Sequence, residues 1–267
     1  MSARLLEIGR MDELGRAESP IHRLEPKAKI LVAAAFVATV MSFERHELSA
    51  LLPLALYPVS LAAAARLPAG YLARKVAIAA PFAVAIGAFN PLLDRAPAAV
   101  PWGGTIAAGW LSFASILLRF ALSVGAALIL VASTGIHRVC AGLGGLRLPR
   151  AFVVQILFLY RYLFVVADEG LRMVRSVRLR SPGVRSLPFR TYAALLGRWL
   201  LRSIDRAERI HRAMVARGFD GEIRVLERKA WGRAEFAFVI LWIAFFLAAR
   251  RWDIPEALGK WILGVAA

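Results

Sequence analysis

Cysteine is almost missing from this chain: its 267 residues hold one, Cys140. A single thiol excludes an intrachain disulfide and any multi-thiolate metal site. Acidic residues are scarce. Asp and Glu total 18 against 35 Lys and Arg, a net charge of +17. A phosphate-cradling loop of the G-x-x-x-x-G-K-[ST] type is absent, because the glycines at 142, 144 and 145 are not followed by Lys-Ser or Lys-Thr. ATP hydrolysis by that route is therefore excluded. The four histidines, His22, His46, His137 and His211, are scattered, and none has a second ligand at metal spacing. Each is expected to be a loop or interface histidine, and no metal cage is expected. Residues 1–27 are charged throughout, and no small-residue cleavage site follows a short apolar core, so a cleavable signal peptide is not expected.

What the chain has in excess is apolar sequence. Hydrophobic residues make up 59%, above the 45–50% or so of soluble domains, and the mean hydropathy is +0.60. Charged residues still reach 20%, so the charge must be segregated from the apolar runs. Five runs are long enough to cross a bilayer or nearly so: residues 30–43 (extended back over Ala28), 48–65, 76–93, 111–133 and 236–249. Pro53 and Pro58 predict kinks in the second. Trp102 and Trp110 suit an outer interfacial belt. Arg119 lies inside the fourth span, where a structural or snorkelling role outweighs a functional one. The expected fold is an all-α integral membrane protein with about five transmembrane helices and a basic module on one side. The divisions are 1–27, a polar N-terminal segment; 28–133, a four-helix membrane block; 134–233, the basic module; and 234–267, a C-terminal membrane helix and tail.

About twenty basic residues and about seven acidic ones fall between 134 and 233. That asymmetry predicts a cytoplasmic location for the module and for the N-terminus. Residues 142–145 read as a flexible turn. Residues 151–167 are apolar enough to be a span, but basic clusters lie on both sides, Arg147 and Arg150 before and Arg172, Arg175, Arg178 and Arg180 after. A crossing would strand one cluster outside. This stretch is expected to lie in or under the inner interface and to continue as a charged helix to Arg180. Ser181-Pro182-Gly183 stops it.

A second basic helix is predicted from about residue 189 to Arg217. Arg198, Arg202, Arg206 and Arg209 share one stripe. Asp205 with Arg209, Glu208 with Arg212, and Asp168 with Arg172 are i, i+4 pairs in the favourable order. Gly218 suits the left-handed residue that ends a helix. Two helices thus end in an exposed Arg followed by a small residue, and such an Arg forks readily onto a carboxylate or carbonyls. Most of the other cations are expected to set topology or touch anionic lipid.

Residues 202–221, RSIDRAERIHRAMVARGFDG, resemble the signature of the transmembrane T component of energy-coupling factor (ECF) transporters, in the cobalt branch called the CbiQ family. Ser19-Pro20-Ile21-His22-Arg23-Leu24 with Pro26 and Lys29 is similar to that family's start. Residues 160–164 with Asp168, Glu169 and Arg178-Leu179-Arg180 are similar to its first coupling segment. The resemblance implies a non-catalytic subunit of an ATP-driven importer for cobalt or nickel in the bacterial inner membrane. It implies two coupling motifs that seat in two cytoplasmic CbiO-type ATPases. Ala216-Arg217-Gly218 matches one motif fully. The other falls on Leu179-Arg180-Ser181, where Leu replaces a small residue and leaves Arg178 as the fallback register. ATP would be bound by the ATPase partners, and the Co or Ni ion by a small CbiM-type membrane protein, with an accessory membrane protein beside it. No cofactor is expected in this chain. Three alternatives compete. A membrane enzyme acting on a phosphate-containing lipid would need grouped acidic ligands, and Asp168-Glu169 is the only acidic pair near a span. A conventional ABC permease would couple through a short loop. A nucleic-acid binder would need exposed aromatics interleaved with its cations.

Overall fold

The computed structural model describes residues 19–43, 48–93, 97–100, 104–146, 148–180, 188–221 and 231–251. Helices dominate these residues, as the composition predicts. The expectations for residues 1–18, for His46, for Trp102 and for the tail after Arg251 lie outside them.

The chain separates into two compact units. One combines Met1–Gly142 with Arg228–Ala267; the other is Leu143–Glu227. In the first unit, α1 (Pro20–Arg23) is a single turn capped by Ser19, whose side chain accepts from the His22 amide. Pro26 opens α2 (Pro26–Ser42) at a position where a missing amide hydrogen costs nothing. The second predicted span is broken as its prolines require: α3 (Leu48–Leu51), a 3₁₀ turn at Pro53–Ala55, then α4 (Leu56–Ala64). Next come α5 (Ala69–Gly87) and the short α6 (Asn90–Leu93). A hairpin that the sequence did not signal follows, with β1 (Pro97–Val100) antiparallel to β2 (Gly104–Ala107). Then come the long α7 (Ala108–Thr134) and α8 (Ile136–Gly145), and, after the second unit, α11 (Arg233–Arg251).

In this unit α7 packs against α2, α4 and α5, and α11 packs against α2. Lipid tails are as apolar as Leu, so close packing rather than water exclusion must hold membrane helices together. Small residues allow it. A Cβ on Gly87 would lie 2.8 Å from Phe113 Cδ2. Aromatics fill the centre: Phe36 meets Tyr57 at 4.6 Å between centroids, and Tyr57 meets Trp242 edge-on at 4.8 Å. Large apolar side chains such as Phe82, Ile78, Val59 and Leu241 point outward, which in water would be a liability and in a bilayer is the normal surface.

Arg119 serves structure. Its guanidinium donates to the Phe43 carbonyl at 2.9 Å and to Ser115 Oγ at 3.1 Å, supplying one of the partners that carbonyls at the end of α2 lack. Arg250 lies over the same residue's ring at 4.9 Å. The expected flexible turn at 142–145 is instead the last turn of α8. The glycine there serves close approach: a Cβ on Gly142 would lie 2.7 Å from Ile30 Cδ1.

The second unit consists mainly of α9 (Arg150–Arg180) and α10 (Phe189–Val215). Among the described residues three helices qualify as spans by length and composition: Ala69–Gly87, Ala108–Thr134 and Ala151–Arg180. The third covers the stretch that the basic clusters on both sides lead one to expect in or under the inner interface rather than across the bilayer. It falls in the unit that contains none of the others.

Candidate functional site

Both basic helices form as single uninterrupted rods. In α9 the apolar first part passes into a charged last part, and Arg172, Arg175, Arg178 and Arg180 are all exposed. In α10, Pro188 precedes the first turn and no residue is buried. Such a helix gains little from its own core, so contacts between the two rods must fix their arrangement.

Three contacts do so. Trp199 of α10 lies over Gly170 of α9, where an added Cβ would be 3.1 Å from Trp199 Cε2. Its indole Nε1 donates to the Val166 carbonyl at 3.0 Å. Beside this crossing, Glu169 of α9 accepts a hydrogen bond from Arg206 of α10, an ion pair with the carboxylate largely shielded from solvent. Arg202 stands 3.9 Å from the other carboxylate oxygen. The third contact is at the far end, where the Phe219 ring meets Phe158 of α9 at 6.3 Å.

The turn after α10 is built as its sequence predicts. The Phe219 amide donates to the Met214 carbonyl at 3.0 Å, and the Gly218 amide donates to the Val215 carbonyl at 2.9 Å. This pair of bonds closes a helix on a left-handed residue, and Gly218 has φ 81. A side chain there would clash with its own backbone, which costs about 1–2 kcal/mol for residues other than Gly. The turn leaves Ala216, Arg217 and Gly218 exposed. Phe219 folds back onto α9 and holds them in place.

Leu179 and Arg180 end α9, both exposed, with Leu179 at 76%. Ser181, Pro182 and Gly183 lie outside the described residues. Arg180 and Arg217 do not come together. Phe158, which anchors the Arg217 turn, lies 22 residues before Arg180 on α9, about 33 Å along a straight helix. The site is therefore two separate cationic tips at opposite ends of a braced pair. Among the predicted i, i+4 pairs, Glu208 and Arg212 meet at 3.0 Å. Asp168–Arg172 and Asp205–Arg209 form no ion pair among the described residues. The acid that matters most, Glu169, takes its cations from the other helix. The sequence marks Glu169 only as part of the Asp168-Glu169 pair in the segment that resembles the family's first coupling segment, with nothing to name its partners on the other helix. Among the described residues no three His, Cys, Asp or Glu side chains group as metal ligands do.

The family model described as "Cobalt transport protein", CbiQ, matches residues 17–227. The chain belongs to the CbiQ cobalt transport protein family. The match takes in the Ser19–Lys29 motif, both CbiQ-type basic helices and both Arg tips, and it ends before α11. Among curated proteins, the cobalt transport protein CbiQ of Rhodobacter capsulatus is 28% identical over 117 residues, 43% of this chain and 48% of that protein. The nickel permease LarQ of Lactiplantibacillus plantarum is 28% identical over 147 residues, 51% of this chain and 53% of that protein. The chain spans about half the length of these two relatives.

Proposed function

We propose that this chain is the membrane coupling subunit of an ECF-type importer for a divalent transition metal ion, cobalt or nickel. Arg180 and Arg217 each enter a groove on one of two cytoplasmic ATPase subunits. The braced pair of α9 and α10 carries the movement of those subunits to a separate small membrane protein that binds the ion. The chain sits in the bacterial inner membrane with its N-terminus and residues 143–227 inside, and α9 lies along the inner face rather than across the bilayer. ATP and the metal ion are held by partners, and this subunit catalyses no reaction of its own.

The observation that carries this reading is the pair of exposed Arg tips at separate places on α9 and α10, two helices joined by the Trp199–Gly170 crossing and the Phe158–Phe219 anchor. Two separate exposed tips suit a partner with two equivalent clefts. The printed names of the two relatives, a cobalt transport protein and a nickel permease, support the class of ion. Affinity purification of the tagged chain tests the assignment. Recovery of an ATP-hydrolysing pair together with a small metal-binding membrane protein is the expected result. Turnover of a lipid substrate by the isolated chain would overturn it.

A further inference from the structure

The two Arg tips leave the motif at residues 19–29 without a role, yet it is one of the most deeply buried polar segments of the molecule. Ser19, His22, Glu25 and Lys29 are 6%, 4%, 5% and 3% exposed. A buried ammonium is costly unless it is well partnered. Lys29 Nζ donates to the Ser133 carbonyl at 3.1 Å and to Thr134 Oγ1 at 3.3 Å. Those are the last two residues of α7, where helix carbonyls lack their own amide partners and carry partial negative charge. The next residue, Gly135, has φ 76 and breaks the chain direction before α8.

The same motif also holds the far side of this elbow. Arg138 of α8 donates to the His22 carbonyl at 3.0 Å. The His22 ring is oriented by Ser19 Oγ, 2.7 Å from Nδ1. Gly142 lets α8 press onto the start of α2, and an added Cβ would lie 3.0 Å from Pro26 Cβ. One short motif therefore grips the end of α7 through Lys29 and the body of α8 through His22 and Pro26. The chain leaves the first unit through α8 and runs on into Leu143–Glu227. A glycine elbow without such a grip would absorb applied motion by rotating about its own backbone.

We propose that Lys29, together with Arg138, is a positioning residue of energy coupling, clamping the α7–Gly135–α8 elbow so that force on the basic helices reaches the membrane helices. This rests on the coupling role given to residues 143–227. The test uses the assembled transporter in proteoliposomes, with Co²⁺ uptake and ATP hydrolysis measured on the same preparation. Lys29→Met is expected to assemble and hydrolyse ATP, while uptake falls about tenfold, as loss of its two hydrogen bonds implies. The number of ATP molecules spent per ion rises accordingly. Thr134→Val, of nearly equal volume, should raise that ratio about twofold to threefold through loss of one hydrogen bond, and Thr134→Ser should restore it. An uptake-to-hydrolysis ratio unchanged in Lys29→Met overturns the proposal. If Lys29→Met does not assemble, an unchanged ratio in Thr134→Val overturns it. Arg217→Glu run in parallel separates the two ideas. Parent-level uptake in Arg217→Glu sinks the coupling reading itself. Loss in Arg217→Glu with a parent-level ratio in Lys29→Met sinks only the clamp.

Discussion

Replacing Glu169 with Gln removes the one charge on α9 that α10 grips. The carboxylate is 12% exposed, Arg206 is 34% exposed and Arg202 is 62% exposed. A fully buried ion pair broken on one side costs about 3–5 kcal/mol, whereas an exposed pair costs under about 1 kcal/mol. A shielded acid facing a cation about one-third exposed lies between them, at about 2 kcal/mol. Arg202, 3.9 Å away and mostly in solvent, contributes little of this. Arg206 is the group left worse off, because its buried Nε already has no hydrogen-bond partner. The assay is hydrogen exchange of the full chain at the amides of residues 200–208, which reports local opening of α10. A loss of 2 kcal/mol should speed exchange there about thirtyfold. A double-mutant cycle with Arg206→Gln should return most of that energy as a coupling term. Exchange that changes less than about twofold, or single effects that add in the double variant, would refute the cross-helix brace.

Three other substitutions probe the frame. Gly218→Ala forces a side chain into φ 81 and should destabilise the Arg217 turn by about 1 kcal/mol, seen as faster exchange at the Phe219 amide. Gly170→Leu overfills a crossing where even a Cβ would be 3.1 Å from the Trp199 ring; a cost of about 1–3 kcal/mol should lower the thermal midpoint, and an unchanged midpoint would contradict the close approach. Arg119→Met deprives the Phe43 carbonyl of its 2.9 Å donor and should cost about 1–3 kcal/mol of stability with uptake per folded transporter intact; lost uptake at full stability would make Arg119 functional instead.

The sequence and structure agree where the cause is local. Pro26, Pro53 and Gly218 set helix starts and stops through fixed or left-handed backbone angles, and each acts as its chemistry predicts. The row of exposed cations at the end of α9 follows from charge spacing alone. What stayed hidden depends on which surfaces meet. Arg206 looks from sequence like one member of a solvent-facing stripe, yet it reaches Glu169 on another helix, 37 positions away. Glycine is the second source of error. Gly142, Gly144 and Gly145 read as a turn because glycine commonly makes turns, but α8 continues through them because Gly142 must pack on Pro26 and Ile30. The strand pair at 97–100 and 104–107 is built mostly of Pro, Ala and Gly residues with little of the β-branched alternation that announces strands.

The central claim is that Arg217 transmits force to an ATPase, and charge reversal at that one exposed tip tests it most directly. Arg217 has solvent on its side chain and no core to disturb, so Arg217→Glu should insert and fold as the parent does. The measurement is ATP-driven Co²⁺ uptake by the reconstituted complex, with Arg209→Glu on the same helix as a control for bulk charge. Uptake should be abolished in Arg217→Glu and largely kept in Arg209→Glu. Uptake that survives in Arg217→Glu would contradict the claim.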